Sequence, residues 1–108
     1  MKVPRHVIEM AIKAANRSSM KYMIGAVIFD GREIIGVGYN KMLRSKAAPY
    51  SIHAEVSAIR WAIKKHGADR IKGCDLFVYR VPGNLARPCA CCQTIIEAVG
   101  IRKVFYSQ

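Results

Sequence analysis

The sequence predicts an α/β protein: a three-layer α-β-α sandwich around a mixed central sheet of about four strands, in the order α-β-β-α-β-α-β. Three observations predict it. Apolar residues switch between a helical period and short continuous runs. Asp30-Gly31 stands between two apolar runs as a hairpin turn. Two later helical segments are each followed by a strand-like run, which implies crossover connections and helices on both faces.

The elements follow in order. Residues 4–17 repeat apolar side chains at Val7, Ile8, Ala11, Ile12 and Ala15, with Pro4 suited to a first turn. Met23 to Phe29 is a strand, Asp30-Gly31 the turn, and Glu33 to Tyr39 the returning strand. Asn40 to Tyr50 reads as a basic loop carrying Lys41, Arg44 and Lys46. Ser51 is the expected cap of a helix from Ile52 to His66, which Gly67 stops. Leu76 to Tyr79 is a third strand and Val81 to Arg87 a loop. Pro88 opens a last helix that Gly100 closes, and Ile101 to Tyr106 is the final strand.

Composition narrows the class. Residues 1–108 suit one domain, and 52% apolar with 23% charged residues excludes a disordered chain. No stretch approaches the roughly 20 apolar residues of a membrane span, so no membrane partner is expected. The N-terminus lacks the apolar core of a secretory signal, which points to the cytoplasm and to cysteines used for metal or redox chemistry rather than disulfides. Eighteen basic against seven acidic residues give a net charge of +11. That excess favours anionic partners, nucleic acid among them, although a solvated lysine-rich surface has the same composition.

The chemistry concentrates in His53, Glu55, Cys89 and Cys92. Cys89 and Cys92 lie three apart at a helix start, so roughly 300° of rotation puts both sulfurs on one face, while Cys91 points elsewhere. Two sulfurs and one imidazole suit zinc. Three ligands leave a coordination position for water, as catalytic rather than structural zinc sites do. Cys74, His6 and His66 are poorly placed to close the site. Glu55 is badly placed to ligate beside His53, but it can reach a water as a general base. A pair of cysteines separated by two residues is weak by itself, and a lone His near a helix start is commonly a cap. The joint pattern His53-Ala54-Glu55 with Pro88-Cys89-Ala90-Cys91-Cys92 is far more specific.

That pattern resembles the zinc-dependent cytidine and deoxycytidylate deaminase superfamily, whose H-x-E and P-C-x-x-C signature it reproduces. His53 to Ile59 looks like the family's first metal-binding helix. Gly25-Ala26-Val27-Ile28 and Gly38-Tyr39-Asn40 resemble its hairpin, and Gly100 to Tyr106 the strand after its second metal helix. The resemblance covers roughly residues 5–106 and implies a minimal cytidine deaminase-like fold. It implies Zn2+ as cofactor, held by His53, Cys89 and Cys92, with Glu55 as the catalytic proton shuttle. It further implies Asn40 at the sugar or its phosphate, the Ala54 N–H at the base carbonyl, and Ala26 and Val27 flooring the pocket.

The implied reaction is hydrolytic deamination of a cytosine nucleoside or nucleotide, of the dCMP or cytidine type, to the uracil form with release of ammonia. A deaminase acting on cytosine or adenine in single-stranded DNA or RNA is the alternative, with Arg60, Arg70, Arg80 and Arg87 as a phosphate-tracking surface and Trp61 on a packed helix face. A non-catalytic, zinc-stabilised nucleic-acid-binding module is the third. The family's sheet usually has five strands against four here. The uncovered edge leads us to expect a homo-oligomer.

Overall fold

The computed structural model describes residues 3–43, 50–81 and 90–107. Helix α1 (Arg5–Asn16) begins after Pro4, whose carbonyl accepts from the Val7 and Ile8 N–H groups at 3.1 and 3.2 Å. Strands β1 (Met23–Asp30) and β2 (Glu33–Tyr39) form the expected antiparallel hairpin. Gly31 turns it at φ +60°, a left-handed backbone that glycine takes without the Cβ clash other residues meet.

The stretch expected to be a basic loop instead contains a short ribbon of β3 (Lys41–Leu43) and β4 (Tyr50–Ile52), paired antiparallel. Arg44 and Lys46 lie outside the described residues. Ser51 belongs to β4 and is not a cap. The N-cap position of α2 (Ala54–His66) is His53, whose side chain makes no capping bond. The sequence signal misled because a capping residue type near a helix start is also an ordinary strand residue, and pairing with Met42 claimed it.

A 3-10 turn (Ala68–Ile71) leads to β5 (Asp75–Val81), longer at both ends than expected. Pro88 lies outside the described residues, as does the loop at 82–87. Helix α3 (Ala90–Ala98) and strand β6 (Lys103–Tyr106) finish the chain. The main sheet has the order β2-β1-β5-β6, with β1 antiparallel to both β2 and β5, and β6 parallel to β5. The mixed four-stranded sheet and its three helices are those expected.

Strand alternation distributes the core between two faces. Val27, Phe29 and Phe77 meet Val7 and Ala11 of α1 on one face. Ala26, Ile28, Leu76 and Val78 meet Ala54, Ala58, Ile59 and Ala62 of α2, with Cys92 and Ile96 of α3, on the other. A buried ion pair pins the β5–β6 end: Arg102 donates from Nε and Nη2 to the two Asp75 carboxylate oxygens at 3.1 and 2.9 Å. The Asp75 side chain is 3% exposed and that of Arg102 55%, so the pair keeps one wet end.

Two glycines let the helices approach the sheet. A Cβ on Gly25 would run into the Ala11 carbonyl of α1. A Cβ on Gly38 would run into the Ala58 backbone nitrogen and stand 2.7 Å from the Ala54 carbonyl. Gly38→Ala must therefore push the first turns of α2 off the sheet. It is expected to destabilise the protein by about 1–3 kcal/mol, read from the urea midpoint, whereas Gly31→Asn, in open space at a turn Asn tolerates, changes it little. Equal midpoints for the two variants would refute the close seating.

Candidate active site

The site is built where α2 and α3 lie side by side on one face of the sheet. Gly36 and Gly38 bring α2 against β2, so the residue at its N-cap stands at the end of the sheet. His53 is exposed and extended at φ −72°, ψ 153°. Its carbonyl accepts the Ser57 N–H at 3.0 Å and so begins the helix, and its imidazole turns toward α3.

Cys92 is the third residue of α3 and is 2% exposed. Its Sγ lies 3.0 Å from His53 Nδ1. Two residues 39 positions apart thus meet through the atoms that would ligate a metal. Zinc bonds of roughly 2.0 Å to nitrogen and 2.3 Å to sulfur span such a pair. The first turn of a helix also carries partial positive charge, which favours the thiolate that metals bind. The donor set fits zinc. Among the described residues no group of three such donors forms. Cys89, the expected third ligand, lies outside them, and the side chain of Cys91 does too.

Glu55 is 5% exposed. Burial pushes its carboxyl above the usual carboxylate range, against the opposing pull of its own backbone N–H and of His53. A carboxyl raised by desolvation holds its proton more readily than an exposed one, as a proton-transfer group must.

The remaining expected residues separate. Ala54 and Ala26 are fully buried in the cluster that contains Cys92. Val27 is a correction: its side chain packs against α1 on the opposite face, because adjacent strand residues point to opposite sides, so it cannot floor the pocket beside Ala26. Asn40 is 7% exposed, and its amide is engaged by backbone. Oδ1 accepts the Ile24 N–H at 2.9 Å, and Nδ2 donates to the Tyr22 carbonyl at 2.6 Å. Its evident work is to tie the end of β2 to the start of β1.

The other histidines and cysteines stand elsewhere. His6 bonds the Arg32 carbonyl through Nε2 at 2.6 Å. The Cys74 thiol donates to the Arg70 carbonyl at 3.2 Å, and burial raises its pKa, which marks an unreactive core cysteine. Two further expectations fail. Trp61 is 41% exposed rather than packed. Arg70 is not available to phosphate, because it bridges Asp30 at 3.0 Å and Glu33 at 3.1 Å across the hairpin turn. Arg80 stacks its guanidinium 4.4 Å from the Tyr22 ring centre. Arg87 lies outside the described residues.

Residues 1–108 match the family described as the cytidine and deoxycytidylate deaminase zinc-binding region, and the chain belongs to that family. Zn2+ is the family's metal and the cofactor of this chain. The tRNA-specific adenosine deaminase of Agrobacterium fabrum is 31% identical over 104 residues, covering 94% of this chain and 62% of that protein. The chain thus spans less than two thirds of that relative's length. Cytidine deaminase from Mycobacterium tuberculosis superposes with a TM-score of 0.74 at 16% identity, over 99% of this chain and 86% of that one. The dCMP deaminase from cyanophage S-TIM5, in complex with dCMP and dUMP, gives 0.64 at 20%, over 97% and 83%. No helix among the described residues is long and apolar enough to cross a membrane.

Removing one of the meeting atoms tests the metal pair. His53→Ala is expected to weaken zinc binding by more than about 100-fold, measured by competition with a chromophoric chelator. Unchanged affinity would place the metal elsewhere.

Proposed function

We propose that the protein catalyses zinc-dependent hydrolytic deamination of an amino-substituted nucleobase. The observation that carries this reading is the 3.0 Å approach of His53 Nδ1 to Cys92 Sγ, with the buried Glu55 two residues from His53. His53, Cys92 and Cys89 would hold the metal. Zinc, when bound, supplies a Lewis acid that makes water a nucleophile near neutral pH.

The chain's own residues do the rest. Glu55, its carboxylate made more basic by burial, takes a proton from the attacking water and delivers it to the ring nitrogen beside the reacting carbon. The same carboxylate then takes the proton of the added hydroxyl and passes it to the departing amine, so the C–N bond breaks, ammonia leaves and an oxo group remains. The Ala54 N–H would donate to the base carbonyl, as the family resemblance implies. Ala26, on the sheet face below α2, excludes water beneath the ring.

For the substrate, the His53-Ala54-Glu55-Val56 segment and the strand ending Lys103-Val104-Phe105-Tyr106 favour a cytosine nucleoside or nucleotide of the dCMP type. A second reading has a specific observation behind it. The 31% identical relative is named for adenosine in tRNA, and the net charge of +11 suits a polyanion.

Ammonia release separates these. The zinc-loaded protein is tested with cytidine, deoxycytidine, dCMP, adenosine and an adenine- and cytosine-bearing RNA, beside Glu55→Ala. Turnover of at least one is expected, with Glu55→Ala slower by about 10²–10⁴-fold while it still binds zinc. A zinc-loaded protein that turns over none, or a Glu55→Ala variant of full activity, overturns the proposal.

A further inference from the structure

We infer that a groove around the free edge of β2 binds single-stranded RNA, stacking a base on Trp61 and pairing phosphates with a row of unneutralised cations. This deepens the second reading above and rests on it for the identity of the polymer.

Two depressions make the groove. One, about 620 Å³, lies between α1 and β2 and is lined by Lys13, Arg17, Tyr39 and Lys41. The other, about 650 Å³, runs along the outer face of α2 past Arg60 and Lys64. Both include Lys41, Ser57 and Trp61, so they form one continuous path with the indole at its centre.

The charge is one-sided. Five cations line the path, no carboxylate does among the described residues, and none of the five has an ion-pair partner among them. Arg70 and Arg102, away from the path, each hold a carboxylate. What sets the five apart is their gathering along one concave path with no carboxylate on its described lining, which suits an anionic chain.

The aromatic rings choose the ligand's form. Trp61 is 41% exposed, with Lys65 Nζ 4.7 Å from its ring centre. Tyr39 stands between Arg17 at 5.3 Å and Lys41 at 5.5 Å. Interleaved rings and cations are what an unpaired strand requires, since its bases stack on rings while its backbone follows the charge. A concave path of this size takes a strand and not the rigid cylinder of a duplex, whose bases are already stacked. The path also starts beside the candidate active site: Lys41 follows Asn40, and Ile52, which lines the second depression, precedes His53.

Trp61 is the chain's single tryptophan, so its fluorescence reports the groove directly. A single-stranded RNA of about a dozen nucleotides is titrated at several salt concentrations. Saturable quenching is expected, with affinity falling as salt rises. Lys13→Gln/Arg60→Gln/Lys64→Gln should bind more weakly and lose roughly 0.7 from the log–log salt slope per phosphate contact removed. Trp61→Leu, followed by anisotropy of labelled RNA, should bind about 5- to 150-fold more weakly. Circular dichroism confirms that both variants fold. Absence of quenching, a triple variant with unchanged affinity and slope, equal affinity for the RNA duplex, or equal affinity for polyglutamate would each overturn the inference. Ammonia release is read separately. RNA binding without deamination of any substrate keeps the groove and refutes the proposed activity; turnover of free nucleosides with Trp61 unquenched does the reverse.

Discussion

The seating of α2 on β2 governs the candidate site. Backbone against backbone is possible there only because Gly36 and Gly38 carry no side chain. With any larger residue the first turn of α2 would ride outward, and His53 would no longer reach the first turn of α3. The helix itself is ordinary in composition. Its position, and therefore the meeting of His53 with Cys92 over a gap of 39 residues, is set by what the strand lacks.

The same seating buries Glu55 without the cation that answers other carboxylates in the fold. Asp30 and Glu33 sit at an exposed turn and neutralise Arg70, and Asp75 is buried but answered by Arg102. Glu55 is buried in the first turn of α2 with only partial compensation from its own backbone and from His53. Desolvation without a full counter-charge is what raises a carboxyl's pKa.

Much of this was legible in the residues. Strand periodicity and the Asp30-Gly31 turn located the hairpin, and Pro4, Gly67 and Gly100 marked helix ends. The meeting of His53 with Cys92 was legible because each stands at the start of a helix. What was not legible came from tertiary placement. Ser51 joined a ribbon that local capping rules do not anticipate. Val27 fell on the wrong face by one residue of strand alternation. Trp61, which its neighbours on α2 suggested was packed, looks outward past the sheet edge. Asn40 carries a polar side chain beside the site, yet backbone groups of β1 and the residue before it occupy much of it.

The proposed chemistry requires an incomplete protein coordination sphere around zinc with a carboxyl beside it. X-ray absorption spectroscopy of the zinc-loaded protein tests it most directly. The account predicts two sulfur neighbours, one imidazole nitrogen and one further light atom that exchanges with small anions. Four protein donors around the zinc, or two cysteine sulfurs bonded to each other and a metal bound elsewhere, would contradict it.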